Sequence, residues 1–179
     1  MKRIAATAVF ATVLLALQML PARTQTEWVE ITASDGSFSF SMPEKVQEQR
    51  KEEGPSDFRY ETLTFNTKIQ SAGHMFIAVR TKYEGDLKTP PAKELQANAE
   101  RFASRLKGKI LSQKEISWKR GEGDTLSALD VSTETSYGTF RQLYVIEGNN
   151  VYALTAGPPK PENKADIERF FASLKIPKR

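Results

Sequence analysis

Residues 74–81, His-Met-Phe-Ile-Ala-Val-Arg-Thr, constrain the fold more than any other stretch. Successive side chains of a β-strand point to opposite faces. Here Met75, Ile77 and Val79 fall on one parity and Phe76 and Ala78 on the other. Such a strand is apolar on both faces and must be covered on both. The chain therefore needs a sheet with a layer on each side.

Two segments can supply those layers. Beyond Lys88-Thr89-Pro90-Pro91, the residues Leu95, Ala99, Phe102, Ala103 and Leu106 recur at helical spacing, with Lys93, Glu94, Glu100 and Arg101 elsewhere. Gly108 follows as a C-terminal stop. Near the end, Pro158-Pro159-Lys160-Pro161 opens a second helix in which Ile167, Phe170, Phe171 and Leu174 fall at i, i+3, i+4 and i+7. Each buried ring contributes about 2 kcal/mol or more, so this helix is expected to be integral to the fold.

The remaining segments read as strands. Residues 28–32 and 38–42 flank Ser34-Asp35-Gly36-Ser37, where Gly36 can take the positive φ of a tight hairpin turn, and Pro43 ends the second strand. Residues 44–57 are the most polar stretch, readable as a loop or as a charged edge strand that resists unwanted pairing. Residues 58–67 alternate through Tyr60, Leu63 and Phe65, and Ser71-Ala72-Gly73 makes a turn before the two-sided strand. After the first helix come strands over 110–118, 126–135, 139–147 and 151–156. Their short connections permit only antiparallel neighbours, which makes a meander. The expected class is α+β: an antiparallel sheet, built from the meander plus an N-terminal hairpin, with helices on its faces in an α/β/α sandwich.

The N-terminus has Lys2-Arg3, then an apolar run from Ile4 to Leu20 and the exit Pro21-Ala22. That order reads as a signal peptide over residues 1–24, leaving a single α/β domain over 25–179. An uncleaved membrane anchor is the alternative, although a run of 17 residues, interrupted by Thr7, Thr12 and Gln18, sits at the lower limit for a span. Either way the folded part is expected outside the cytoplasm, in the periplasm or beyond. The chain has no cysteine, which excludes disulfides, thiol nucleophiles and thiolate metal sites. Of 26 basic residues, Lys2, Arg3 and Arg23 lie in the leader, so 23 face 22 acidic ones in the remainder. So slight an excess gives no reason to expect a nucleic acid or anionic membrane as partner.

Catalytic groups do not assemble in the sequence. His74 is the only histidine, no Gly-x-Ser-x-Gly elbow presents a serine, and one histidine cannot build a zinc site. Glu52-Glu53 and the pair Glu122 and Asp124 lie in polar or glycine-bearing stretches and lack a calcium-loop pattern. Gly121-Glu122-Gly123 and Lys107-Gly108-Lys109 lack phosphate-loop spacing. No catalytic residue, cofactor or metal ligand is therefore expected. One surface spot stands out: Trp118, Lys119 and Arg120 at a strand end, with Lys114 nearby and Tyr137 at what reads as the neighbouring turn. An aromatic beside a cationic turn suits recognition. The same residues also read as a core tryptophan beside a solvated turn.

Several of these pieces recur together elsewhere. Trp28, Asp35-Gly36, Phe38, Phe40 and Pro43 open the chain, Asn150-Val151-Tyr152-Ala153-Leu154 ends the meander, and Phe170-Phe171-Ala172-Ser173-Leu174-Lys175-Ile176 closes it. With the helix between, this order resembles small exported bacterial domains of the PsbP-like superfamily, named for a lumenal photosystem subunit. The resemblance implies an antiparallel sheet between helical layers, no shared catalytic motif, and an accessory or binding role. The leading expectation is thus a non-enzymatic extracytoplasmic accessory or binding protein, with an unknown protein or envelope component as partner. One alternative is a small-ligand carrier with a pocket between sheet and helix, lined by Phe102, Phe170 and Tyr152. The other is a hydrolase using a carboxylate pair assembled across strands.

Overall fold

The computed structural model describes residues 28–54, 59–67, 75–158 and 164–178. The leader over 1–24, the turn at 71–73, His74 and the Pro159-Lys160-Pro161 run lie outside the described residues. Among the described residues, nine strands and two helices follow in the order β1 (Val29–Thr32), β2 (Ser39–Met42), β3 (Gln49–Glu53), β4 (Tyr60–Asn66), β5 (Met75–Tyr83), α1 (Pro91–Arg105), β6 (Lys109–Gly121), β7 (Asp124–Thr135), β8 (Gly138–Glu147), β9 (Asn150–Gly157) and α2 (Lys164–Ala172).

Seven strands form one antiparallel sheet in the order β3-β4-β5-β9-β8-β7-β6. The meander β6 to β9 turns on two-residue connections and folds back so that β9 lies against β5. The polar stretch before residue 55 does contain an edge strand: β3, reading Gln-Arg-Lys-Glu-Glu, pairs with β4 and ends the sheet in charge. The opening hairpin β1-β2 stays out of this sheet and forms a two-stranded ribbon of its own. Gly36 turns it at φ 67°, the conformation its lack of a Cβ allows.

One face of the sheet is closed by that ribbon together with α2. Phe38, Phe40 and Met42 from the ribbon, and Ile167, Phe170 and Phe171 from α2, pack on Leu63, Phe65, Phe76, Ala78, Tyr152 and Leu154. Phe170 has its ring 5.0 Å from Phe76 and 6.4 Å from Phe40, both edge-on. The chain beyond α2 fastens the layer, because Ser39 and Lys175 exchange backbone hydrogen bonds at 2.9 and 2.8 Å. Leu174, which continues the helical stripe in sequence, lies past the last helical residue and is buried in this layer.

A buried cation locks the hairpin turn to the sheet. Arg80 is 1% exposed and meets Asp35 of the turn at 2.8 Å and Glu61 of β4. Glu61 also pairs with Arg50 at 3.2 Å, and the Ser34 hydroxyl donates to Glu48 at 2.7 Å. Two carboxylates around one guanidinium offset the cost of burying it.

The opposite face carries α1, which packs on β6, β7 and β8. Leu95, Ala99 and Ala103 are buried there, as is Glu94, a residue whose charge suggests the solvent side. The helix ends in a Schellman turn, with Gly108 N–H donating to Ala103 at 2.8 Å and Lys107 N–H to Ser104 at 3.1 Å. The left-handed residue is Lys107 (φ 50°) and not Gly108. Gly108 is required for another reason: a Cβ there would lie 2.5 Å from the Glu134 carbonyl oxygen.

Candidate functional site

Because α1 lies mainly over β6, β7 and β8 and meets β5 and β9 only around Tyr83 and Val151, the rest of the β3-β4-β5-β9 half is left open beside it. The strand register lays out its floor. Thr62, Thr81 and Val151 form one cross-strand row, Thr64, Val79 and Ala153 the next, and Asn66, Ile77 and Thr155 the third. Threonine, valine and alanine are short, so the middle of this lattice is low. Large side chains stand around it: Tyr60 and Tyr83 at one end, with rings 5.9 Å apart, and Tyr144 and Phe102 along the helix side. The result is a groove of about 430 Å3 between sheet and helix, within the range of ~300–1,000 Å3 typical of small-molecule sites.

The rim is polar. The Glu94 carboxylate accepts hydrogen bonds from Tyr83 (3.0 Å), Asn98 (2.9 Å) and Arg101 (2.9 Å). Burial pushes the Tyr83 hydroxyl above its ordinary pKa, and burial does the same to Tyr144. At the β3 corner, the Tyr60 hydroxyl donates to Glu53 at 3.0 Å, which raises its pKa. The Glu53 carboxylate is held below its usual range by hydrogen bonds from Lys51 and Tyr60. All three tyrosines thus remain proton donors at neutral pH. Arg105 completes this corner; it makes no hydrogen bond or ion pair among the described residues, although its charge acts on Glu53 and Tyr60.

Three of the four residues nominated from sequence come together elsewhere. Trp118, Lys119 and Arg120 line a hollow of about 400 Å3 with Gly36, Phe38 and Lys175, beside the hairpin and the C-terminal segment. Trp118 is half-buried and packs on the α2-side core, as a core tryptophan would. Arg120 is tied to Asp124 at 2.7 Å and to Glu147, so it is not a free recognition group. Tyr137 does not join them. It sits 72% exposed at the β7–β8 turn, whereas Trp118 pairs with Leu126 near the start of β7. Nine residues of strand separate Leu126 from Thr135 beside that turn, about 30 Å. The neighbouring turn in sequence lies at the far end of the sheet, because hairpins alternate ends. Lys114 stands opposite Asp130, four residues along β6 from Trp118.

The sheet-and-helix pocket is likewise only partly as expected. Phe102 lines the groove, but Phe170 and Tyr152 belong to the core on the other face, since Tyr152 and Ala153 point opposite ways from β9. Sequence reasoning missed Tyr60, Tyr83, Val79, Ala153 and Arg105. A partial signal was available: on β4 one parity carries Thr62 and Thr64 while the other carries Leu63 and Phe65, but β5 is apolar on both parities and gives no such sign. Carboxylates from distant strands do meet, but around arginines. Asp35 and Glu61 flank Arg80, Asp124 and Glu147 flank Arg120, and Asp130 and Glu168 flank Arg141.

The protein has a PsbP-like fold by structural similarity, and no helix among the described residues is long and apolar enough to cross a membrane. The solution structure of cyanobacterial PsbP (CyanoP) from Synechocystis sp. PCC 6803 is similar at a TM-score of 0.55, covering 90% of this chain and 99% of that one with 4% identity. No protein-family model matches the sequence, and no curated protein matches it.

Proposed function

We propose that this protein is an exported, non-enzymatic binding protein, acting outside the cytoplasm as an accessory component, and that the groove beside α1 is its binding site. The observation that carries the reading is the uneven cover of the sheet. One face is sealed by aromatic packing, while the other leaves short apolar and hydroxyl side chains open next to a helix. A fold gains stability by covering such a surface, so a half-open face within the chain favours a ligand there. The superfamily resemblance supports the non-enzymatic part, and the Lys2-Arg3, apolar-run and Pro21-Ala22 order supports export by a cleaved leader.

Native mass spectrometry of protein purified from its own source tests both parts. The expected result is a chain lacking about the first two dozen residues and carrying a small-molecule adduct that Ala153→Leu removes. A full-length chain of bare mass, with a tightly closed groove in solution, would reject the proposal.

A second reading places recognition of an envelope partner at Trp118 and Lys119, favoured by the hollow they line. A photo-crosslinker at position 119 should then capture one defined component, and the same group at position 137 should not. Equal capture from both positions would remove it.

A further inference from the structure

The chemistry of the groove narrows what it can hold, on the reading that it is a binding site. Its floor offers the half-buried Ile77, Val79 and Ala153 for apolar contact, and the hydroxyls of Thr62, Thr64 and Thr81 along the same rows, while Val151 and Thr155 are buried. From residue 77 to residue 81 it runs about 13 Å along β5. Its charges do not cancel. Lys51 is paired with Glu53, and Arg101 with Glu94 at 2.9 Å. Arg105 is left over, a guanidinium at the Tyr60 corner with no ion-pair partner among the described residues.

We propose that the groove takes a small amphiphile with a single anionic head, of the medium-chain carboxylate type. The head lies at the Arg105 and Tyr60 corner and the apolar body lies over Val79 and Ala153. Guanidinium to carboxylate is the pairing that supplies two parallel hydrogen bonds. The Tyr60 hydroxyl already bonds Glu53, so Arg105 is the group available to bind the head. Arg105 is exposed, so a neutral chain gains nothing from it and leaves it to water, and a cationic one would be repelled by it.

Amide NMR shifts of the leaderless protein, titrated with decanoate, decanol and decyltrimethylammonium below their micelle concentrations, test the idea. Decanoate should move amides of β4, β5, β9 and α1, and bind more tightly than decanol. Arg105→Gln should weaken decanoate about tenfold without affecting decanol, and Arg105→Lys should restore part of the loss. Ala153→Leu should abolish both while keeping a folded spectrum. If decanol equals decanoate and Arg105→Gln changes neither, the anionic head is wrong and the groove stands. If the cationic probe binds best, the charge assignment is likewise overturned. If no probe moves groove amides, or Ala153→Leu leaves binding intact, the groove reading itself fails.

Discussion

Strands β4, β5 and β9 present two faces to two different fates. Toward the ribbon and α2, Leu63, Phe65, Phe76, Ala78, Tyr152 and Leu154 are sealed under aromatic rings. Toward α1, Thr62, Thr64, Ile77, Val79 and Thr81 are only half-buried, because the helix lies over the neighbouring strands. The same three backbones therefore form the centre of a core on one side and the floor of a groove on the other. Side-chain size parallels the difference. Rings and leucines bury the sealed face, while mostly threonine, valine, isoleucine and alanine line the open one.

If that contrast is real, mutations on the two faces must differ in cost. Phe170→Ala should remove about 3–5 kcal/mol of stability in urea unfolding, since its ring is fully buried against Phe40, Phe76 and Phe171. A loss below about 1 kcal/mol would mean that α2 is a detachable layer. Leu154→Ala should cost about 2–5 kcal/mol, whereas Val79→Ala, its neighbour across the sheet on the open face, should cost about 1 kcal/mol or less. Equal losses for these two would erase the distinction.

Arg80→Met tests the polar seam that bolts the hairpin to the sealed face. It leaves Asp35 and Glu61 facing each other without their shared cation. Both carboxylates keep some contact with water, so a loss of about 2–3 kcal/mol is expected, below that of a fully buried broken pair. The restoring double variant with Asp35→Asn and Glu61→Gln should recover part of it. The smallest effect concerns pH. Burial acts to raise the Glu48 pKa, but hydrogen bonds from the Ser34 backbone and hydroxyl, with the Arg50 charge, outweigh it and lower the value from 4.5. A lowered folded pKa contributes stability above the unfolded value and loses it as the pH falls through the folded one. Glu48→Gln should therefore flatten the stability curve below about pH 4.5 by about 0.5–1 kcal/mol at most, because solvent screens the site. An unchanged acid limb would show that this network adds nothing.

Much of the fold was legible in local patterns. The helical stripe Ile167, Phe170, Phe171 and the meander with its short turns are spacing rules, and spacing survives any tertiary arrangement. Legibility failed where partners come from far along the chain. Glu94 reads as a solvent residue until Tyr83 and Arg101 are brought to it. Tyr137 reads as a neighbour of Trp118 until strand length carries it about 30 Å away. Tyr152 reads as a pocket residue until β9 is paired and its parity assigned. The groove was half visible, in the correct pairing of helix with sheet and in Phe102, but its floor required the register of three strands.

The chain alone fixed both helices and the strands other than β3, that the sheet must be covered on both sides, and that no thiol or histidine cluster takes part. These follow from side-chain period and from composition, which are properties of the polymer. Only the tertiary structure decided how far the cover extends. Where α1 lies on the sheet depends on how β6 to β9 fold back onto β5, and that long-range pairing left one half of a face open. Arg80 shows the same dependence: its charge is tolerable only because Asp35 and Glu61, distant in sequence, arrive together.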